Sequence, residues 1–338
     1  MSTTPHPRTA WRKAIALGAV ASLAALLLVL AFLWPGRASV PRHLPLSVVG
    51  TSAAVDAFQA HLEGAASETF TLTPASNRTE AAEQIAARRT VGAVVFGSDG
   101  STEVLFASAA GSAQSQAMHA LAAGLEASVS PQPQGRSTTV TLTDVAPLSS
   151  GDPTGAGLTA SAFPLALGGV LAGILIALLV HGTWQRFTAA LVFAAVAGAL
   201  IEIVLQPWFH FIQGNPWLNF LAIALTILAT ASFMIGLVKL LGKPGLGISA
   251  VITMLIGNPL SGATMPWQYI PAPWGLIGQF MVPGAGSSLL RSLSYFPSAP
   301  TWPQWLTLVA WIVFGGLLAT CGHGLGRRRR SAGVRSSS

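Results

Sequence analysis

Charge is scarce in this 338-residue chain: only 9% of its residues are Asp, Glu, Lys or Arg, against about 25% in a typical soluble domain. With 51% hydrophobic residues gathered into long runs, that shortage excludes an ordinary soluble protein. One cysteine, Cys321, excludes an intrachain disulfide. No Gly-x-x-x-x-Gly-Lys-Ser/Thr stretch occurs, so this chain cannot itself cradle ATP phosphates. The seven histidines have no His-x-x-x-His spacing, and the serine-rich stretches contain no Gly-x-Ser-x-Gly elbow. The chain reads as a non-enzyme with no cofactor and no metal. Its net charge of +7 gathers beside apolar runs, so it is no argument for nucleic acid.

What is present is a series of apolar runs. Arg8, Arg12 and Lys13 precede Ala14 to Leu33, which carries no charge. A secretory signal has an apolar region of only about 7–15 residues, and Pro35-Gly36-Arg37 follows this run. Residues 1–43 are therefore expected to be a cytoplasmic tail and an uncleaved anchor. Leu158 to Val180, Phe187 to Gln206, Trp217 to Val238, Gly245 to Thr264 and Gln304 to Leu325 follow as further spans. The expected architecture is a polytopic α-helical membrane protein of six spans, five of them in residues 153–326. Gly169 and Gly173 form a Gly-x-x-x-Gly pair that lets another helix approach closely.

Charge sets the expected orientation. With both termini cytoplasmic, the inner segments hold eleven Lys and Arg residues, including Arg186, Lys239, Lys243 and the basic tail 327–338. The short outer segments hold only Arg291, as the positive-inside rule requires. Arg37 and Arg42, just past the first span, oppose it. The arginine cluster 327–330 is suited to anionic lipid.

Residues 44–152 differ in kind. Ten of the eleven acidic residues fall here with four arginines, a net charge of −6. Strand and helix periods alternate in the order β-α-β-α-β-β-α-β, with strands expected at Leu44–Gly50, Thr69–Thr73, Thr90–Phe96, Glu103–Ala107 and Thr138–Leu142. Asn77 is expected to cap a helix, with Glu80 three residues on. That order argues for an extracytoplasmic α/β domain of one mixed sheet, its charges solvated.

Residues 257–297 are apolar yet cannot form one helix, because Pro259, Pro266, Pro271, Pro273 and Pro283 each remove a backbone donor. Two short helices are expected, Trp274 to Met281 and Gly286 to Tyr295, in a broken re-entrant hairpin at the outer rim. The alternative is an amphipathic loop lying on the outer surface. Asn258, Pro259, Gly262, Pro266, Pro271, Pro283 and Arg291 are the candidate gate residues. Glu202 is the one acid within a span and the candidate intramembrane polar site. Four residues before Gln206-Pro207, it is expected to reach outer water, and it is the nearest candidate partner for Arg291.

The layout, with Asn258-Pro-Leu-Ser-Gly262, Met265-Pro266, Ile270-Pro271, Val282-Pro283 and Leu290-Arg291, resembles the membrane subunits of ATP-binding-cassette type 2 exporters. It is most similar to the phage-infection-protein-like (YhgE/Pip-like) membrane proteins. The resemblance implies a permease subunit for an amphipathic or apolar compound in a bacterial plasma membrane, partnered by lipids, a separate ATPase subunit and a second subunit as homo- or heterodimer. Two departures stand against it: a tail of about 13 residues before the first span, and a loop of only His181 to Arg186 where the ATPase is usually held. The alternative is a non-transporting membrane protein whose outer domain binds an envelope component, a partner protein or a phage. Ion-coupled transport is a third.

Overall fold

The computed structural model describes residues 10–66, 68–129 and 140–335. Arg8, the expected strand start at Thr138 and the last three residues of the basic tail lie outside the described residues.

Five strands form one mixed sheet in the order β2-β1-β3-β4-β5. They are β1 (Leu44–Val49), β2 (Phe70–Pro74), β3 (Gly92–Phe96), β4 (Thr102–Phe106) and β5 (Val140–Asp144). β1 runs parallel to β2 and β3, β3 is antiparallel to β4, and β4 is parallel to β5. Each parallel pairing needs a crossover, and α2 (Ser52–Ala66), α3 (Arg78–Ala86) and α4 (Ser112–Val129) supply them. Asn77 caps α3 through a bond to its side chain from the Glu80 amide, while Glu80 accepts from the Ser76 amide.

Alternation along the strands gives the sheet two apolar faces. Leu44, Leu46, Val48, Val94 and Val104 pack with Phe58, Leu62, Met118 and Leu125 of α2 and α4. Ala93 and Leu105 face the other way, with Ala81 and Ile85 of α3, into a cluster that continues through Leu205, Ile212, Leu290, Tyr295 and Phe296 of the apolar helices and their connecting loops. The α/β domain and the helical bundle thus share one core.

Arg78 holds Glu103 by two bonds of 2.7 and 2.8 Å, and Thr143 donates a third at 2.6 Å. The Arg78 hydrogen bond, more than the Thr143 bond or bare charge, draws the Glu103 carboxyl below its ordinary range. A depressed carboxylate stabilises the fold above its unfolded pKa, and the gain is lost as pH falls through the folded value. Glu103→Gln should therefore flatten the acid limb of a pH–stability curve, by under about 1 kcal/mol because the pair is partly exposed. An unchanged acid limb would show that other groups govern it.

Among the described residues, five helices are long and apolar enough to cross a membrane: Trp11–Arg37 within α1 (Trp11–Ala38), α5 (Ala156–Leu179), Thr183–Trp208 beginning with α6 (Thr183–Ile203), α7 (Pro216–Leu241) and Trp302–Gly322 within α11 (Trp302–Arg335). The expected span Gly245–Thr264 differs. It is α8 (Pro244–Ala250) followed by a π-helical stretch, Val251–Gly257, and helix stops there. At about 1.5 Å per residue this helix falls short of a core about 30 Å thick, and residues 258–265 continue without regular structure.

α7 is the centre of the bundle. Asn215 caps it, its side chain accepting from the Trp217 amide at 2.9 Å, and Pro216 occupies the first turn, where a missing N–H costs nothing. Its most apolar window is 78% buried, whereas that of α1 is 0% buried. Gly169 and Gly173 of α5 face Thr230 and Met234 of α7. A tighter crossing joins α7 to α11. A Cβ on Gly236 would stand 2.3 Å from the Gly315 carbonyl oxygen, and one on Gly315 would stand 2.4 Å from Ser232 backbone. Backbone cannot yield as a side-chain end can, so this contact requires glycine on both helices.

Candidate functional site

The broken hairpin is where the α/β domain meets the helices. After Gly257 the chain turns through Gly262, whose φ of +74° suits glycine and whose Cβ would meet Trp267 at 3.1 Å. A single helical turn at Trp267–Tyr269 and α9 (Trp274–Gln279) follow, then α10 (Val282–Tyr295). Pro266 and Pro271 act as expected of breakers, their carbonyls accepting the turn-closing amides of Tyr269 and Trp274. Pro283 does not break a helix. It sits in the first turn of α10, which starts four residues earlier than Gly286, because the first-turn amides have no helical partner to lose.

α10 is held from both sides by arginine. Arg291, on α10 itself, donates to the Ala109 carbonyl of the α/β domain at 2.9 Å and to the Ala263 carbonyl at 3.5 Å. Arg88, from the turn after α3, donates to Ser292 Oγ at 2.8 Å and the Ser288 carbonyl at 3.3 Å, with its guanidinium 5.3 Å from the Phe296 ring centre. Neither arginine makes an ion pair among the described residues. Burial, reinforced by repulsion from Arg291, pushes Arg88 down to about 10. Tyr269 adds a bond to the Ala113 carbonyl, and Tyr295 one to the Phe211 carbonyl.

Behind α10 lies a narrow cavity of about 40 Å³, walled by α5 and α7 and including Asn258, Ser261, Pro283 and Arg291. That is room for a few waters and too little for a small-molecule ligand. Gly262, Pro266 and Arg291 line a second small space against the domain loop at Gly111, and Asn258 and Pro259 line a third beside Pro35 of α1. Six of the seven candidate gate residues therefore surround neighbouring spaces. Pro271 lines none of the three.

Glu202 departs from expectation twice. It is 9% exposed rather than facing water, and its Oε1 has no hydrogen-bond partner. It does not pair with Arg291, which donates to the Ala109 and Ala263 carbonyls. Arg88 was invisible in the sequence, where it reads as one more solvated charge. Its only clue was position, at the end of a capped helix where glycine or asparagine is usual. Among the described residues no group of three or more His, Cys, Asp or Glu side chains is placed to hold a metal ion. Comparison with family models, with curated proteins and with solved structures finds no match to this chain.

Proposed function

We propose that the chain is the membrane-spanning subunit of an ATP-binding-cassette type 2-like export system, moving an amphipathic or apolar compound with energy from a separate ATPase polypeptide. The observation that carries this reading is the seat of α10. Arg88 of the α/β domain reaches it at Ser288 and Ser292, while its own Arg291 reaches Ala109 of the domain from beside a small cavity walled by α5 and α7. Movement of the domain would change the width of that cavity. In this reading both termini are cytoplasmic and the domain is extracytoplasmic. The stretch from Pro244 to Met265 makes the sixth crossing, partly without helix, where protein rather than lipid surrounds it. The eleven-to-one charge count supports that orientation.

One observation favours the other reading. Only Val180 to Gly182 separates α5 from α6, which leaves little chain for an ATPase to grip. A non-transporting protein would use the domain to bind an envelope component, a partner protein or a phage. Purification from native membranes separates the two. An ATPase polypeptide should co-purify, and a cysteine at exposed Ser98 in a Cys321→Ser background should label with an impermeant thiol reagent in whole cells. Absence of any ATPase, with Ser98→Cys labelled from outside, would move the case to the binding protein. Labelling only after lysis would overturn the orientation in both readings.

A further inference from the structure

A pocket of about 310 Å³ opens on a different face of α10 from the narrow cavity, between the α/β domain, α9 and the start of α11. Ser288 and Ser292 line it, about a third of a turn round the helix from Ser287, Leu290 and Arg291, which line the narrow cavity. Its polar lining includes Arg88, Ser292 and Gln304, together with Ser288, whose hydroxyl donates to Gln279 Oε1. Three features of this lining point to an anion.

The Arg88 guanidinium is enclosed here with only neutral partners, and no carboxylate pairs with it among the described residues. A buried cation without a counter-charge is costly. Arg88 also occupies a left-handed backbone position, φ +56°, closing α3. Arginine is strained there and glycine is not, so the fold spends conformational energy to place this side chain. The first turn of α11, with Pro303 and Gln304 in the lining, brings a helix N-terminus to the same space.

The rest of the wall is apolar. Leu276 and Phe280 stand at the rim, 53% and 61% exposed, beside Trp267. Side chains of that kind on a broken helix beside α11 suit hydrocarbon rather than water. An inorganic anion would satisfy the arginine and leave this rim unused. We propose that the pocket binds an oxyanion-headed amphiphile, with the headgroup on Arg88 and Ser292 at the first turn of α11 and the hydrocarbon chain leaving over Leu276 and Phe280. The headgroup would supply the charge that Arg88 lacks, and would join the domain to α10 and α11 at one point. This holds for an exporter and for a binding protein alike.

The test uses the full chain in mixed micelles of phosphatidylglycerol and phosphatidylcholine, with bound lipid counted by native mass spectrometry. The wild-type protein should retain phosphatidylglycerol at least tenfold over phosphatidylcholine. Arg88→Asn keeps a residue that tolerates the left-handed turn, so it should remain folded and lose that preference. Ala299→Phe, which fills the pocket while leaving the guanidinium in place, should lose retention as well, and it decides the matter if Arg88→Asn fails to fold. Undiminished phosphatidylglycerol retention in a folded variant would overturn the site. Displacement of the lipid by an equal concentration of inorganic phosphate would overturn the amphiphile and leave a plain oxyanion site.

Discussion

Gly315→Leu should abolish the folded protein, while Gly316→Leu, one residue along the same helix, should be tolerated. The two positions differ only in what stands opposite. A Cβ on Gly315 would meet the Ser232 carbonyl at 2.4 Å, whereas nothing lies within 4 Å of one on Gly316. Relief would require α7 and α11 to separate, and with them the packing of Phe233 on Trp311 and Phe314. Overpacking a close contact costs about 1–3 kcal/mol even where side chains can give, and here backbone meets backbone. The measurement is the fraction of membrane-extracted protein that elutes as a single species in size-exclusion chromatography. A Gly315→Leu protein matching wild type would show that the α7–α11 crossing is not required.

Arg291→Ala should loosen the α/β domain from the hairpin without preventing insertion. Removing this side chain strips the Ala109 and Ala263 carbonyls of a charged donor, and a buried acceptor left unpaired costs about 1–3 kcal/mol. That corresponds to a roughly 5- to 150-fold rise in the undocked population. Ala109 is fully buried, so Ala109→Cys in a Cys321→Ser background reports undocking directly. Its thiol should react slowly while Arg291 is present, and about tenfold faster or more once Arg291→Ala is added. Equal rates would mean that the shared apolar core alone seats the domain.

Local chemistry was legible in the chain. The order of strands and helices in residues 44–144, the Asn77 cap and the break in the hairpin all follow from side-chain period, capping and proline. Where one residue type serves two roles, the local reading failed. Pro283 looks like its neighbours in sequence but begins a helix. Gly245 to Thr264 is apolar enough for a span, yet its helix widens to a π form and ends at Gly257, because hydropathy measures solvent preference and not backbone continuity. The site was less accessible. Arg291 finds its acceptor 182 positions away and Arg88 reaches 204 positions to Ser292, distances over which no periodicity carries information. Nor did the closeness of Glu202 to Gln206 along the chain reveal that the residue would be only 9% exposed.

The central position of α7 also sets an order of events during synthesis. Five helices of the bundle, α5, α6, α8, α10 and α11, pack on it, and α11 is the last of them to leave the ribosome. Until it does, the strip of α7 around Ser232, Phe233 and Gly236 has no protein against it, and the Ser232 hydroxyl is left to the bilayer. At about 5–20 residues per second, the interval between α7 and the end of α11 is several seconds. The nascent bundle is therefore open on one side for that long, a window in which an insertase or chaperone that shields small-residue helix surfaces could act, and in which a protease could recognise chains that stall before Trp302.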